Sequence, residues 1–227
     1  INHITSSRLA SFRDIRLNDG KRAAAIDLIL ISHCLKIAVS EWGLSLATNP
    51  TDEVKRPAPP QARQRRLEAG EYEILERASK YLRNRYLWPL IIMALETGMR
   101  RSELLSLTWD NIDLQKGIAF LPDTKNGNSR TVPLSPKPIA SIIKLNSKSK
   151  VLFPVSDNVI RLSWDKLRKR SGLQNIRFHD LRHEAISSFF ERGLNIAEVA
   201  LISGHKDPRM LMRYTHLRAE DVAKKLI

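Results

Sequence analysis

Residues 50–66 limit the possible folds more than any other stretch. Asn49-Pro50 introduces them, K-R-P-A-P-P follows, and R-Q-R-R closes the run. Proline fixes φ and has no N–H to donate, so neither a helix interior nor a central strand tolerates such a segment. The arginines keep it hydrated. The stretch therefore reads as an extended, basic linker. It divides the 227 residues into a short region at 1–49 and a larger one at 67–227.

The short region reads as all-helical. Residues 21–44 place Ile26, Ile29, Leu30, His33, Ile37 and Trp42 at helical spacing, which predicts that this stripe faces a core. Gly43 is the stop signal. Cys34, the one cysteine, falls in the same apolar stretch and is expected in the core. It has no partner for an internal disulfide, which fits a reducing compartment. No apolar run is expected to approach the roughly 20 residues that cross a bilayer. About 50 residues with two helices make a marginal domain. The opening Ile1 likewise suggests a piece of a longer protein with earlier helices.

The larger region is expected to be mainly helical with a small antiparallel sheet. Residues 70–83 and 86–97 read as helices, with Gly98 closing the second, and 102–107 as a shorter one. Residues 118–121 and 130–134 read as strands around an Asn126-Gly127 turn, and 111–114 as a third strand. Beyond Pro138 the pattern is helical to the end. Asn195 caps one helix. Asp207 and Pro208 open a last one, which carries Tyr214.

Lys plus Arg number 38 against 24 Asp plus Glu, a net charge of +14. Such a balance points to a polyanionic partner. Six residues in the larger region have the chemistry to work on one. Arg100 lies in E-T-G-M-R-R-S-E-L-L-S-L, and Lys125 in D-T-K-N-G-N-S-R. His179 and Arg182 lie in R-F-H-D-L-R-H, His205 in I-S-G-H and Tyr214 in M-R-Y-T-H-L. Each alone carries little weight, since a lone H-x-x-R arises readily in a basic chain. Together they supply a nucleophile and several cations for a phosphodiester. Arginine offers a planar fork of N–H donors to non-bridging oxygens. A tyrosine of pKa about 10 needs clustered cations to favour the phenolate. His179 either takes its proton or orients the phosphate. No carboxylate stands beside the histidines at metal-ligand spacing.

In order, context and spacing these six residues resemble the tyrosine recombinase, or phage-integrase, family. The resemblance covers about residues 67–227, and A-V-S-E-W-G-L followed by V-K-R-P resembles the end of that family's core-binding domain. It implies a truncated all-α core-binding domain at 1–49, the linker at 50–66 and an α+β catalytic domain at 67–227. It also implies site-specific DNA recombination through a 3′-phosphotyrosine, for integration, excision or inversion. Arg100, Lys125, His179, Arg182, His205 and the nucleophile Tyr214 are then catalytic, with Lys125 the general acid and Glu103 bracing an arginine or histidine. His183 and His216 are then structural or support a catalytic neighbour, and are not catalytic themselves. No metal, ATP or other cofactor is implied. The implied partners are duplex DNA with inverted arms, three further copies in a tetramer, and accessory DNA-bending proteins, in the cytoplasm of a bacterium and at its nucleoid.

Direct DNA contacts are expected from Arg63 and Arg65 in the linker, from Arg130 beside the lysine hairpin, and from Arg161 and Lys166 on a basic helix at 159–170, where a solvated helix face is the alternative. Three other activities share some of these features: a type IB topoisomerase-like relaxer, a non-catalytic DNA-binding regulator and a metal-dependent nuclease.

Overall fold

The computed structural model describes residues 3–58, 63, 65–122 and 129–215. Two compact units divide between Arg63 and Gln64.

The first unit is a helix pair, α1 (Ser6–Arg16) and α2 (Lys21–Glu41). Thr5 caps α1 by accepting the Arg8 N–H. Leu9, Leu28 and Val54 make its small core. The face of α2 that packs is not the expected one. Ala24, Leu28, Ser32, Leu35 and Ala38 are buried, while Ile26, Ile29, Leu30 and Trp42 are exposed. Cys34 is exposed too. Because α2 is apolar nearly all round, periodicity does not select a face, and small residues on one side let α1 approach closely. By length and composition α2 also suffices to cross a membrane, contrary to the expectation that no run comes near that length.

Residues 49–55 differ from a free linker. Asn49 donates to Ser32, the Lys55 carbonyl accepts from Arg13, and Thr51 and Val54 are buried. These contacts tie the first linker residues to the helix pair.

The second unit contains α3 (Glu71–Ser79), α4 (Leu87–Thr97), α5 (Arg101–Ser106), β1 (Ile112–Asp113), β2 (Ile118–Leu121), β3 (Arg130–Pro133), α6 (Pro136–Ile143), α7 (Asp157–Ser171), α8 (Asp180–Glu191) and α9 (Ile196–Ser203). The sheet is antiparallel in the order β1-β2-β3, with Ala119 opposite Val132 and Leu121 opposite Arg130. Ala119, Leu121 and Val132 are buried on the inner face, as the period-two alternation of a strand requires. Helix α4 is central: Leu90, Ile91, Met93 and Ala94 are fully buried. It packs on α6 and α8.

Two helical expectations fail. Residues 144–156 are not helical. Asn146 takes φ 42°, and the chain then forms an isolated antiparallel bridge between Thr108 and Val151. The last helix is instead a pair of 3₁₀ turns, Pro208–Met210 and Met212–Tyr214. Asp207 does cap the first turn by accepting the Arg209 N–H. The fully buried Leu211 anchors the junction between the turns, and short 3₁₀ pieces suit such a sharp path.

Candidate active site

Arg100 reaches the site because α4 stops abruptly. Gly98 ends it with φ 62°, and Arg100 becomes the N-cap of α5. Glu103, three residues on, accepts the Arg100 backbone N–H and the Arg100 guanidinium, each at 2.8 Å. It also accepts two bonds from Arg130, at 3.0 and 2.7 Å. Burial alone would raise the Glu103 pKa. The bonds from Arg130 and the Arg100 backbone outweigh it and bring the value to about 2.

Arg130 therefore has a different job from the expected phosphate contact. Its side chain is only 8% exposed. Both terminal nitrogens face Glu103, and Nε donates to the Ile202 carbonyl at 3.2 Å. It ties β3 to α5 and to the end of α9, so it positions Arg100 and His205. Glu103 thus holds both Arg100 and Arg130.

Arg182 is the most deeply set cation. It is 4% exposed and donates to the Gly98 carbonyl at 2.5 Å and the Ser203 carbonyl at 2.7 Å. Two of its five N–H donors thus fix it to the ends of α4 and α9. Burial first, then the charge of Arg100, lower its pKa to about 10, which leaves it charged at pH 7.

His205 follows Gly204, the left-handed C-cap of α9. Its Nδ1 lies 2.7 Å from Ser203 Oγ, and that hydroxyl donates to the Val199 carbonyl. The hydroxyl has a single proton, so His205 must carry its own on Nδ1 and leave Nε2 as an acceptor. Burial, then Arg182 and Arg100, lower the His205 pKa to about 4. His179, the N-cap of α8, is exposed, yet partial burial of its ring, then Arg182, lower its pKa.

Gly204 also has no room for a side chain. A Cβ there would lie 2.8–3.0 Å from the Arg130 guanidinium, which Glu103 and Ile202 hold still, and φ 69° is strained for alanine. Gly204→Ala is expected to lower stability by about 2 kcal/mol. It should also weaken the Arg130–Glu103 pair. Urea unfolding of both proteins checks this, and an unchanged midpoint would show that Arg130 can yield.

Tyr214 meets α8 through His183, which the resemblance left outside the catalytic set. Its hydroxyl is 2.5 Å from His183 Nδ1, and the two rings stack at 5.7 Å. His183 in turn stands edge-on to His179 at 5.1 Å. Burial, then the charges of His179, Arg213 and Arg182, bring the His183 pKa to about 4. Burial raises the Tyr214 pKa, against the pull of Arg213 and Arg182. His183 directly follows Arg182 in H-D-L-R-H, and that adjacency was the one available signal. Beside this group, Met99, Arg101, Arg177, His179 and Arg182 line a cleft of about 300 Å³.

The remaining candidates are scattered. Lys125 and His216 lie outside the described residues. Arg65 pairs with Glu71 at 2.5 Å. Arg66, unremarked in the sequence, spans Glu184 and Glu191 on α8. Arg161 and Lys166 are exposed on α7, whose inner face buries Ile160, Trp164 and Leu167. Among the described residues no three His, Cys, Asp or Glu side chains form a metal-holding group.

Comparison with known proteins gives this geometry a family. The sequence pattern of the phage integrase family matches residues 65–221. The shufflon-specific DNA recombinase of Escherichia coli is 41% identical over 100% of this chain, which spans 61% of that protein's length. A lambda integrase dimer bound to a COC′ core site superposes with a TM-score of 0.81, at 20% identity over 96% of this chain and 81% of the other. A lambda integrase tetramer bound to a Holliday junction gives 0.80, at 20% identity over 94% and 65%. At that identity the two structures speak for the fold; the matched pattern and the E. coli relative reach further, and on them the chain belongs to the phage integrase family.

Proposed function

We propose that this protein is a site-specific DNA recombinase that cuts and rejoins strands through a 3′-phosphotyrosine on Tyr214, without metal or ATP. The observation that carries the reading is the seating of Tyr214 on α8, its hydroxyl on His183, next to the buried cation Arg182. Arg100 and Arg182 hold the non-bridging oxygens, and His205 and His179 complete the cradle. In such a preorganised site each donor is worth about 10²–10³ in rate. Lys125, by family resemblance, protonates the leaving 5′-oxygen. The phosphotyrosine preserves the bond energy, so a 5′-hydroxyl from a second duplex can reverse the step.

The proposed substrate is duplex DNA with two inverted arms, one protomer on each, and two such sites bring four protomers together. Integration, excision and inversion all follow from this chemistry, with site arrangement and accessory DNA-bending proteins choosing among them. The proposed place of action is the bacterial cytoplasm, at the nucleoid, for a protein encoded by a bacterium or a phage. Arg63, Arg161 and Lys166 are proposed phosphate or groove contacts.

The test uses a pool of nicked duplexes with randomised sequence, incubated with the protein in EDTA. Denaturation-resistant protein–DNA adducts are recovered and sequenced. Enrichment of one inverted-repeat site among them supports the reading. An absence of adducts from the whole pool contradicts it.

DNA binding is also expected to take up protons. His205 is held neutral, with Nε2 unprotonated and 3.4 Å from Arg182 Nη2, and a phosphodiester in the cradle adds negative charge that favours the imidazolium. Affinity for the captured duplex should therefore rise as pH falls from 7 towards 5, once salt is fixed. Calorimetry in buffers of different ionisation enthalpy would measure the uptake. Buffer-independent heats would count against this role of His205.

A further inference from the structure

We propose that His183 is the base that takes the proton from Tyr214 as the phenol attacks phosphorus. The inference rests on the recombinase reading above and assigns it a further catalytic residue. His183 touches the reacting atom, with Nδ1 2.5 Å from the phenolic oxygen. The stacked rings hold that contact in register. The arginine next to it in sequence is anchored to Gly98 and Ser203, so the backbone that presents His183 is fixed relative to the phosphate cradle. His179 stands one helical turn earlier and meets His183 through a ring edge. That arrangement suits His179 to the phosphate and His183 to the nucleophile.

Protonation states agree with this division. The groups that act on His183 are His179, Asp180 and Arg182 from α8, and Arg213 and Tyr214 from the last 3₁₀ turn. Burial first, then the neighbouring His179, Arg213 and Arg182, lower the pKa enough to keep the ring neutral at pH 7. A neutral ring with its proton on Nε2 presents the Nδ1 lone pair to the phenol. Arg213 acts on the same phenol by charge and hydrogen bond and so favours the phenolate.

So weak a base does not ionise the phenol in advance. The proton moves as the Tyr214 Oη–phosphorus bond forms, which acidifies the phenol. The O–H pair becomes the new bond to phosphorus, and the proton passes to His183 Nδ1. The P–O5′ bond breaks, and its electron pair leaves on the 5′-oxygen, which takes a proton from a separate acid, Lys125 in the reading above. The imidazolium is offset by the charge gathering on phosphorus. In the reverse direction the imidazolium returns its proton to Tyr214.

Two substitutions separate a base from a mere anchor. His183→Ala removes both functions. His183→Asn keeps an acceptor oxygen near the place of Nδ1 but cannot carry the proton. Single-turnover cleavage of the captured nicked duplex is measured for each from pH 3.5 to 9. Both variants should cleave about 10²–10⁴-fold more slowly at pH 7. Their rates should climb with pH as hydroxide replaces the base, and added imidazole should restore part of the His183→Ala activity. The wild-type rate should fall on the acid side as His183 becomes protonated. Wild-type speed in His183→Asn would overturn the proposal in favour of anchoring, as would an unchanged pH profile in His183→Ala. Duplex affinity and urea midpoints near wild type confirm that both variants fold, and the imidazole rescue reads the base role even where the alanine variant is less stable. Failure of the wild-type protein to form any adduct would instead overturn the recombinase reading itself.

Discussion

Phenylalanine at position 214 is expected to abolish the covalent protein–DNA adduct while leaving duplex affinity within about two-fold. The substitution removes one oxygen. That oxygen carries no charge at pH 7, so the electrostatic attraction that dominates DNA affinity is untouched. The hydrogen bond to His183 is lost, at about 1 kcal/mol of stability. The nucleophile is lost as well, and among the described residues the adjacent hydroxyl, that of Thr215, already donates to the Met212 carbonyl. Ser203, the nearby hydroxyl, is fully buried and already bonded to Val199 and His205. Loss of a covalent nucleophile elsewhere lowers turnover on the order of 10⁶-fold, below what a denaturing gel resolves. The same gel with the captured duplex makes the measurement, with anisotropy at fixed salt for binding. An adduct that survives Tyr214→Phe would move the nucleophile to another residue.

Glu103→Gln is expected to destabilise the protein by about 3–5 kcal/mol, the usual cost of leaving a buried ion pair with one member. Glu103 is 5% exposed and is held by Arg130 and Arg100. The amide returns one acceptor of the two and none of the charge. The pH dependence gives an independent reading. The Glu103 pKa falls from 4.5 to about 2 on folding. A carboxylate lowered in this way stabilises the fold fully above pH 4.5, and the contribution disappears as pH falls towards 2. Such a shift corresponds to about 3 kcal/mol. The gap between wild type and Glu103→Gln in urea unfolding should therefore be widest at pH 7 and should close progressively in acid. A gap that stays constant with pH would mean that Arg130 and Arg100 find other partners. Cleavage should drop by about 10–100-fold in the same variant, because Arg100 loses the group that aims it.

The sequence was most readable where the controlling interactions are local. The β2–β3 pairing, the Gly98 stop, the Asn195 cap and the Asp207-Pro208 start all depend on residues close together in the chain, and each is found where the pattern puts it or within a few residues, while the Asn126-Gly127 turn lies outside the described residues. The error in α2 has the opposite origin. A helix that is apolar on two sides carries no record of which side its neighbour will occupy. The final 3₁₀ turns show the same limit, because the anchor at Leu211 depends on a core assembled from distant segments.

The site divides along the same line. Residue type and order by themselves pointed to Arg100, Lys125, His179, Arg182, His205 and Tyr214 as the set to examine for phosphodiester chemistry, because those chemistries lie in the side chains and their spacing. Only the tertiary structure decided who touches whom. Arg130 meets Glu103 across 27 residues, Arg182 meets Ser203 across 21, and Tyr214 meets His183 across 31. Contacts at such separations are set by how α4, α5, α8, α9 and the sheet pack. That packing turned Arg130 from an expected DNA contact into a brace, and placed against the tyrosine a histidine that the sequence left in a structural role.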